Sequence, residues 1–144
     1  MGQKSIAFIG HHELDYPRNR TIRDAFIKQG FTVQHCHSQI SFPWRFLHLA
    51  FLWFKKGRNT QWVWISEGGH RLVPFFKLLT FFSGQKIVFD PFTSRYNTRI
   101  EDRKIHQAGS LQALICLWQD WSACKAADYL VFDTLEHKEY FYKK

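Results

Sequence analysis

Short apolar runs alternate with helical patterns along the whole chain, and this alternation is the feature that most restricts its fold. Each run is β-branched or aromatic and is bounded by Gly, Asp or Ser, as buried parallel strands are. The runs are residues 6–9, 31–33, 62–65, 87–89 and 129–132. The helical patterns are residues 18–29, 42–56, 72–82, 102–127 and 134–142. The alternation predicts an α/β fold, a Rossmann-like open parallel sheet of about five strands with helices on both faces.

The chain is long enough for one domain of this kind. It has 144 residues, of which 45% are hydrophobic, and that proportion is sufficient to bury a core. The sequence has no internal repeat, low-complexity segment or linker. We therefore treat residues 1–144 as a single domain.

Cysteine usage indicates a reducing compartment. None of the three cysteines forms a CxxC pair, and we expect neither a disulfide framework nor a metal site. Cys116 and Cys124 lie eight residues apart in a predicted helix, about 12 Å along its axis, which is too far for a disulfide. The first apolar run is too short for a signal peptide. These features favour a cytoplasmic location.

The charge balance indicates an anionic partner. The chain carries 20 Lys and Arg against 12 Asp and Glu, a net charge of +8, which suits phosphate, nucleic acid or a lipid surface. The spacings typical of helix-turn-helix, RNP and zinc-finger modules are missing, so nucleic acid is disfavoured. Aromatic residues make up 18% of the chain, which suggests more apolar surface than one small core needs. A membrane or a second domain would cover the excess.

Polar loops follow the first, third and fourth predicted strands, at residues 10–20, 66–71 and 90–96. Ligands of open parallel sheets bind beyond the carboxyl ends of the strands, so these loops are the candidate site. The first loop lacks GxGxxG, so we expect no dinucleotide cofactor.

Two groups of the first loop are candidates for ligand contact. Arg18 and Arg20 fall in the opening turn of a helix, where acidic residues are preferred, so they either meet a phosphate or form a solvated face. His11 and His12 either contact a hydroxyl or act in acid–base chemistry, or they are simply exposed.

A glycine pair in the second loop has two interpretations. Gly68 and Gly69 let the backbone approach a ligand closely and lead into a helix start that favours an oxyanion. The alternative is a tight turn without a ligand. The loop lacks the GK[ST] ending of a P-loop.

The most hydrophobic segment, residues 42–56, is a candidate membrane contact. Its apolar part, residues 42–54, would be roughly 20 Å long as a helix, which is too short to cross a bilayer core of about 30 Å. It is apolar on nearly all sides with cations at one end, which is typical of an interfacial helix; the alternative is a helix buried on the sheet. The predicted membrane contacts are Trp44, Phe46, Phe51, Trp53, Lys55 and Lys56.

Several segments, in their order along the chain, resemble a known family. They are residues 6–10, Pro17, Arg18 and Asn19 with the helix containing Arg23, residues 89–92, 102–104 and 120–134, and finally His137, Tyr140 and Phe141. Together they resemble the N-terminal domain of glycosyltransferase family 4 enzymes with the GT-B fold. The resemblance covers essentially the whole chain.

The resemblance implies a function and a set of site residues. GT-B enzymes have two Rossmann-like domains across a cleft: the N-terminal one generally binds the acceptor, often on a membrane lipid, and the C-terminal one holds the nucleotide sugar. They are usually metal-independent, and family 4 retains the anomeric configuration. The residues implied at the cleft are Gly10, His11, His12, Arg18, Asn19 and Arg20 in the first loop, Gly68, Gly69 and the candidate catalytic His70 in the second, then Asp90 and Arg95, with Arg103 as a further candidate.

Two functional hypotheses result. In the first, the chain is the acceptor-binding half of a retaining hexosyltransferase of cell-envelope polysaccharide synthesis, peripheral at the inner face of the membrane. It would transfer sugar from a nucleotide sugar to a lipid-linked or polysaccharide acceptor. Because the sequence stops near the point where the family continues into its donor-binding domain, we expect it to be inactive without such a domain. In the second, it is a non-catalytic Rossmann-like binding or scaffold module that docks to a membrane or a partner protein.

Overall fold

A computed structural model describes residues 4–11 and 15–143. The strands are β1 (Ser5–Gly10), β2 (Thr32–His37), β3 (Trp62–Ile65), β4 (Lys86–Phe89) and β5 (Tyr129–Leu130). The helices are α1 (Pro17–Lys28), α2 (Trp44–Leu52), α3 (Leu72–Thr80), α4 (Leu111–Ala126) and α5 (Leu135–Lys143). A π-helical turn, Trp53–Gly57, continues α2, and another, Asn97–Asp102, precedes α4.

All strand pairs are parallel, and their order in the sheet is β2-β1-β3-β4-β5. The predicted open parallel sheet of five strands is therefore confirmed. From β1 the chain moves outward to β2, then crosses back to β3 and continues to β5. The strand order reverses between β1 and β3, and a sheet of this kind has its ligand crevice at the carboxyl ends of those two strands.

The two faces of the sheet are covered unequally. Alternate strand residues such as Ile9, Ile65 and Phe89 form the larger core, which is closed by α2, α3 and α4. The intervening residues face the other side, where Phe8 stacks on Trp64 with ring centroids 5.7 Å apart. Helix α1 packs on that side. Helices thus lie on both faces, as predicted.

The bounds of β2 and α4 differ most from the sequence prediction. β2 extends to His37, beyond the predicted end at residue 33, because backbone pairing with β1 continues through its two histidines. The helix predicted from residue 102 begins only at Leu111. Ser110 ends the preceding loop and caps the helix, since its Oγ accepts a hydrogen bond from the Ala113 N–H at 3.2 Å.

Trp53, predicted as a membrane contact, belongs to the core. Its side chain is 7% exposed, and its indole Nε1 donates to Gln85 Oε1 at 3.0 Å. Gln85 Nε2 in turn donates to the carbonyl oxygens of Gly57 and Thr60, both at 2.8 Å. This buried amide therefore fastens the π-helical turn after α2 to the start of β4, and the prediction for Trp53 is wrong.

Replacing Gln85 with alanine leaves the Trp53 indole and the carbonyls of Gly57 and Thr60 without this partner. The Gly57 carbonyl still accepts from Thr60, so the cost comes from the Trp53 indole and the Thr60 carbonyl. Because each buried polar group left without a hydrogen bond costs about 1–3 kcal/mol, we expect the free energy of unfolding to fall by about 3 kcal/mol in urea denaturation. Gln61→Ala is the matched control, since that side chain is exposed and its loss should change stability by less than about 0.5 kcal/mol. Equal stabilities of the two variants would contradict this account.

Candidate functional site

The loops after β1 and β3 meet at the reversal of strand order. Gly68 has φ +74°, and a Cβ added there would lie 3.1 Å from Cε1 of His11. A Cβ at Gly69 would overlap the side chain of Ile65. Gly68 therefore suits its left-handed backbone and the close approach of the first loop, and Gly69 is required by the tight turn itself, whether or not a ligand is bound.

Arg18 and Asp90 join the loop after β4 to the start of α1. The guanidinium donates from Nε to Oδ2 at 3.0 Å and from Nη2 to Oδ1 at 2.9 Å, and Asp90 is 1% exposed. This hydrogen-bonded pairing raises the pKa of Arg18. Arg18 also lies over the ring of Phe92, 5.0 Å from its centroid. The sequence left open whether Arg18 meets a phosphate or forms a solvated face; in the structure its anionic partner is Asp90.

The other predicted residues of the first loop, and Arg103 after the π-helical turn, differ in their exposure to solvent. Asn19 is buried, and Gly10 is buried with its carbonyl accepting from the Ser38 N–H at 3.1 Å. Arg20 and Arg103 are exposed. His12 lies outside the described residues. Gly10, His11, Arg18 and Asn19 therefore all lie near the point where the strand order reverses. Asn19 is buried there and forms a hydrogen bond with Glu67.

His70, the candidate catalytic residue, is almost completely buried. Its ring packs edge-to-face with that of Phe89, with ring centroids 5.1 Å apart. Its Nε2 lies 3.3 Å from Oδ1 of Asp120 without the geometry of a hydrogen bond. Burial and then the charge of Arg95 lower the pKa of His70 to about 3, although the backbone of Thr93 opposes the shift. The imidazole is therefore neutral near pH 7.

Asp120 of α4 holds the loop after β4 in place, and the sequence prediction did not include it in the site. Its carboxylate accepts hydrogen bonds from Ser94 Oγ at 2.6 Å and from the backbone N–H groups of Arg95 and Tyr96 at 2.9 and 3.0 Å. Burial raises the pKa of this carboxyl, and the hydrogen bonds act in the opposite direction. The sequence signal for it is that Asp120 is the only acidic residue of α4.

A small pocket of about 140 Å³ opens between the loops after β3 and β4. Its lining residues are Glu67, Gly68, His70, Pro91, Thr93, Arg95, Thr98 and Arg99. It combines three predicted residues, Gly68, His70 and Arg95, with polar groups that the prediction omitted. Burial, followed by the charges of Arg99 and Arg71, lowers the pKa of Arg95, so cations crowd one another here.

Glu67 supplies a carboxylate at the rim of this pocket. Burial and the nearby Asp90 raise its pKa, while a hydrogen bond with Asn19 and the charge of Arg18 oppose the rise. His11 is also half-buried, and burial followed by the charge of Arg45 lowers its pKa. The rim therefore offers a neutral imidazole and a carboxylate to a ligand.

An apolar surface lies on the outer side of α2 and of the π-helical turn that continues it. Trp44, Leu47, Phe51 and Phe54 are each at least 60% exposed and follow one another at helical spacing. Lys55 and Lys56 are exposed at its end, whereas Phe46 is half-buried against Phe75. We call Trp44, Leu47, Phe51 and Phe54 the α2 stripe. None of the helices in the described part of the chain is long and apolar enough to cross a membrane.

Within residues 4–11 and 15–143, no group of three or more His, Cys, Asp or Glu side chains is arranged to hold a metal ion. Comparison with known protein families finds no family model that matches this chain. A comparison with curated proteins likewise finds no match.

Replacing Arg18 with glutamine leaves the carboxylate of Asp90 buried without its partner. Removing one member of a buried ion pair is strongly destabilising, and we expect a loss of about 3 kcal/mol in the free energy of unfolding by urea denaturation. The double variant Arg18→Gln with Asp90→Asn should recover part of this loss, because no uncompensated charge stays buried. Arg20→Gln, which removes an exposed arginine of the same helix, is the control; an equal effect there would contradict a specific role for the pair.

Proposed function

We propose that this chain is the acceptor-binding half of a GT-B type glycosyltransferase. It acts with a donor-binding domain that holds a nucleotide sugar, and the sugar passes to a lipid-linked or polysaccharide acceptor. The observation that carries the proposal is the meeting of polar loops from β1, β3 and β4 where the strand order reverses. The sequence resemblance to family 4 enzymes supports the same assignment.

The rim residues suit the recognition of a sugar hydroxyl. His11 is half-buried with a lowered pKa, so near neutral pH its ring has an unprotonated nitrogen that accepts a hydrogen bond. Glu67 adds a half-buried carboxylate at the same rim. A hydroxyl bound between such groups would be oriented for attack on the donor sugar, and orientation supplies much of the catalysis in a two-substrate reaction.

His70 is assigned a positioning role in this proposal. Its ring is 2% exposed and packs on Phe89, beside the carboxylate of Asp120. A group buried in this way shapes the pocket wall and keeps the loop after β3 against α4. His11 and Glu67 therefore replace it as the candidates for direct acceptor contact.

The test combines the chain with the donor-binding domain of a GT-B enzyme and measures release of UDP or GDP with lipid-linked glycans as acceptor. We expect His11→Ala and Glu67→Gln each to lower the rate at least tenfold, because each removes a group that orients the acceptor hydroxyl. Glu139→Gln removes an exposed carboxylate of α5 and is the matched control. The proposal fails if no nucleotide diphosphate is released, or if both rim variants retain the parental rate.

The α2 stripe favours a second candidate function, a module that docks to a membrane surface. Four large apolar side chains on one side of a helix would insert at headgroup depth, with Lys55, Lys56 and Arg58 against anionic lipid. Arg58 already lies over the ring of Phe54, 4.7 Å from its centroid. Docking of this kind is also compatible with the glycosyltransferase proposal, since it would bring the site to a lipid-linked acceptor.

Flotation with vesicles containing phosphatidylglycerol tests the stripe. We expect Trp44→Ser and Phe51→Ser each to reduce the bound fraction severalfold, because each removes a large apolar side chain from the contact. Ile27→Ser is the control, since Ile27 is 53% exposed but lies on α1, on the opposite side of the sheet. Flotation that is unaffected by either stripe variant would show that this surface does not bind lipid.

A further inference from the structure

Positive charge exceeds negative charge in the lining of the pocket between the loops after β3 and β4, where two arginines stand against one glutamate, Glu67, and the charge of Asp120 also acts on Arg95. Arg95 and Arg99 both line it, and no carboxylate of the described residues forms an ion pair with either guanidinium. Nε of Arg95 is buried and has no hydrogen-bond acceptor among those residues. A buried donor without an acceptor is costly, so this nitrogen marks a place where an acceptor is missing.

The remaining walls suit a tetrahedral oxyanion. Thr93 and Thr98 place two hydroxyl groups in the pocket, with Thr98 Oγ1 donating to Thr93 Oγ1 at 3.3 Å. The Thr93 hydroxyl hydrogen is therefore available for another acceptor. Glu67, also in the lining, is engaged by Asn19 and lies in the field of Arg18. Two guanidinium groups and a hydroxyl donor form an arrangement that binds phosphate.

A third arginine, Arg71, lies between this pocket and an apolar groove. Arg71 acts electrostatically on Arg95, and its guanidinium lies over the ring of Phe42, 5.4 Å from the centroid. Arg71 also lines a neighbouring groove of about 350 Å³ together with Phe42, Phe46, Pro74 and Trp118. His70 lines the cationic pocket and the next residue, Arg71, lines this mainly apolar groove, so the two cavities are neighbours. Their combination matches an amphiphile, with an anionic head beside a hydrocarbon chain.

We infer that the pocket binds the phosphate of a lipid-phosphate acceptor between Arg95 and Arg99, with the lipid chain in the groove beside Arg71. The inference rests on the proposed function, because it names the acceptor class for the same site. A phosphate there has two possible sources, the lipid-linked acceptor and the diphosphate of the nucleotide sugar. The apolar groove assigns it to the acceptor, since a nucleotide has no hydrocarbon chain to place in it.

Calorimetric titration of the full chain with inorganic phosphate, geranyl phosphate and UDP tests the inference. We expect geranyl phosphate to bind at least about tenfold more tightly than inorganic phosphate, because its chain buries apolar surface in the groove. Arg99→Gln should weaken both ligands by about tenfold or more, as expected for a lost hydrogen bond to a charged group. Arg99 is exposed, so the substitution leaves the core intact. Trp118→Ser should weaken geranyl phosphate alone.

Two further variants serve as controls. Lys28→Gln removes one exposed positive charge at the far end of α1, and its affinities should equal those of the parent. Arg99→Lys retains the charge without the planar fork and should lie between the parent and Arg99→Gln. It also replaces Arg99→Gln if that variant does not fold.

Three results would overturn the inference. They are unchanged binding in Arg99→Gln, geranyl phosphate no tighter than inorganic phosphate, and UDP binding that depends on Arg99 and exceeds that of geranyl phosphate. Failure of the proposed function can be told apart from failure of this inference. In the former case no sugar would be transferred, but phosphate binding by the chain alone would still depend on Arg99. Conversely, sugar transfer that is insensitive to Arg99→Gln would retain the function and exclude this pocket.

Discussion

The bidentate pair of Arg18 and Asp90 is the interaction on which the site depends. It connects the first turn of α1 to the end of β4 across the reversal of strand order, with donor–acceptor distances of 2.9–3.0 Å and a carboxylate that is 1% exposed. A buried carboxylate needs a partner of opposite charge, so the two elements are held at a fixed separation. The loops that form the rim are thereby built on rigid supports, as ligand-binding loops need to be.

Helix α4 also holds two of the site's loops in place. Asp120 gathers the loop after β4 through three hydrogen bonds and lies beside His70 from the loop after β3. The same loop then presents Arg95 and Arg99 to the pocket. The buried carboxylate of Asp120 therefore positions the backbone of this loop. Arg95 and Arg99, in contrast, have no ion-pair partner among the described residues. This division of charge favours an anionic ligand in the pocket.

The sequence predicted the architecture well because parallel strands buried on both faces produce short apolar runs that are easy to recognise. It was less successful with β2, because polar histidines in its second half do not fit the apolar pattern of a strand. The strand nevertheless continues to His37, since its backbone pairs with that of β1. It also placed Trp53 on the membrane side, although the indole turns inward to Gln85. For a helix that is apolar all round, periodicity cannot distinguish the buried side from the exposed one, so only packing decides it.

The sequence alone therefore determined the order of strands and helices and the loops in which polar chemistry concentrates, because both follow from local patterning. Only the tertiary structure decided which charged side chains form ion pairs with one another. For Arg18 the sequence offered an external phosphate or solvent as its surroundings, but the side chain pairs with a residue 72 positions away. Arg99 received no role in the sequence prediction, yet it lines the pocket beside Arg95. Charge compensation depends on distances between residues remote in the chain, and those distances are set only when the sheet and its helices pack.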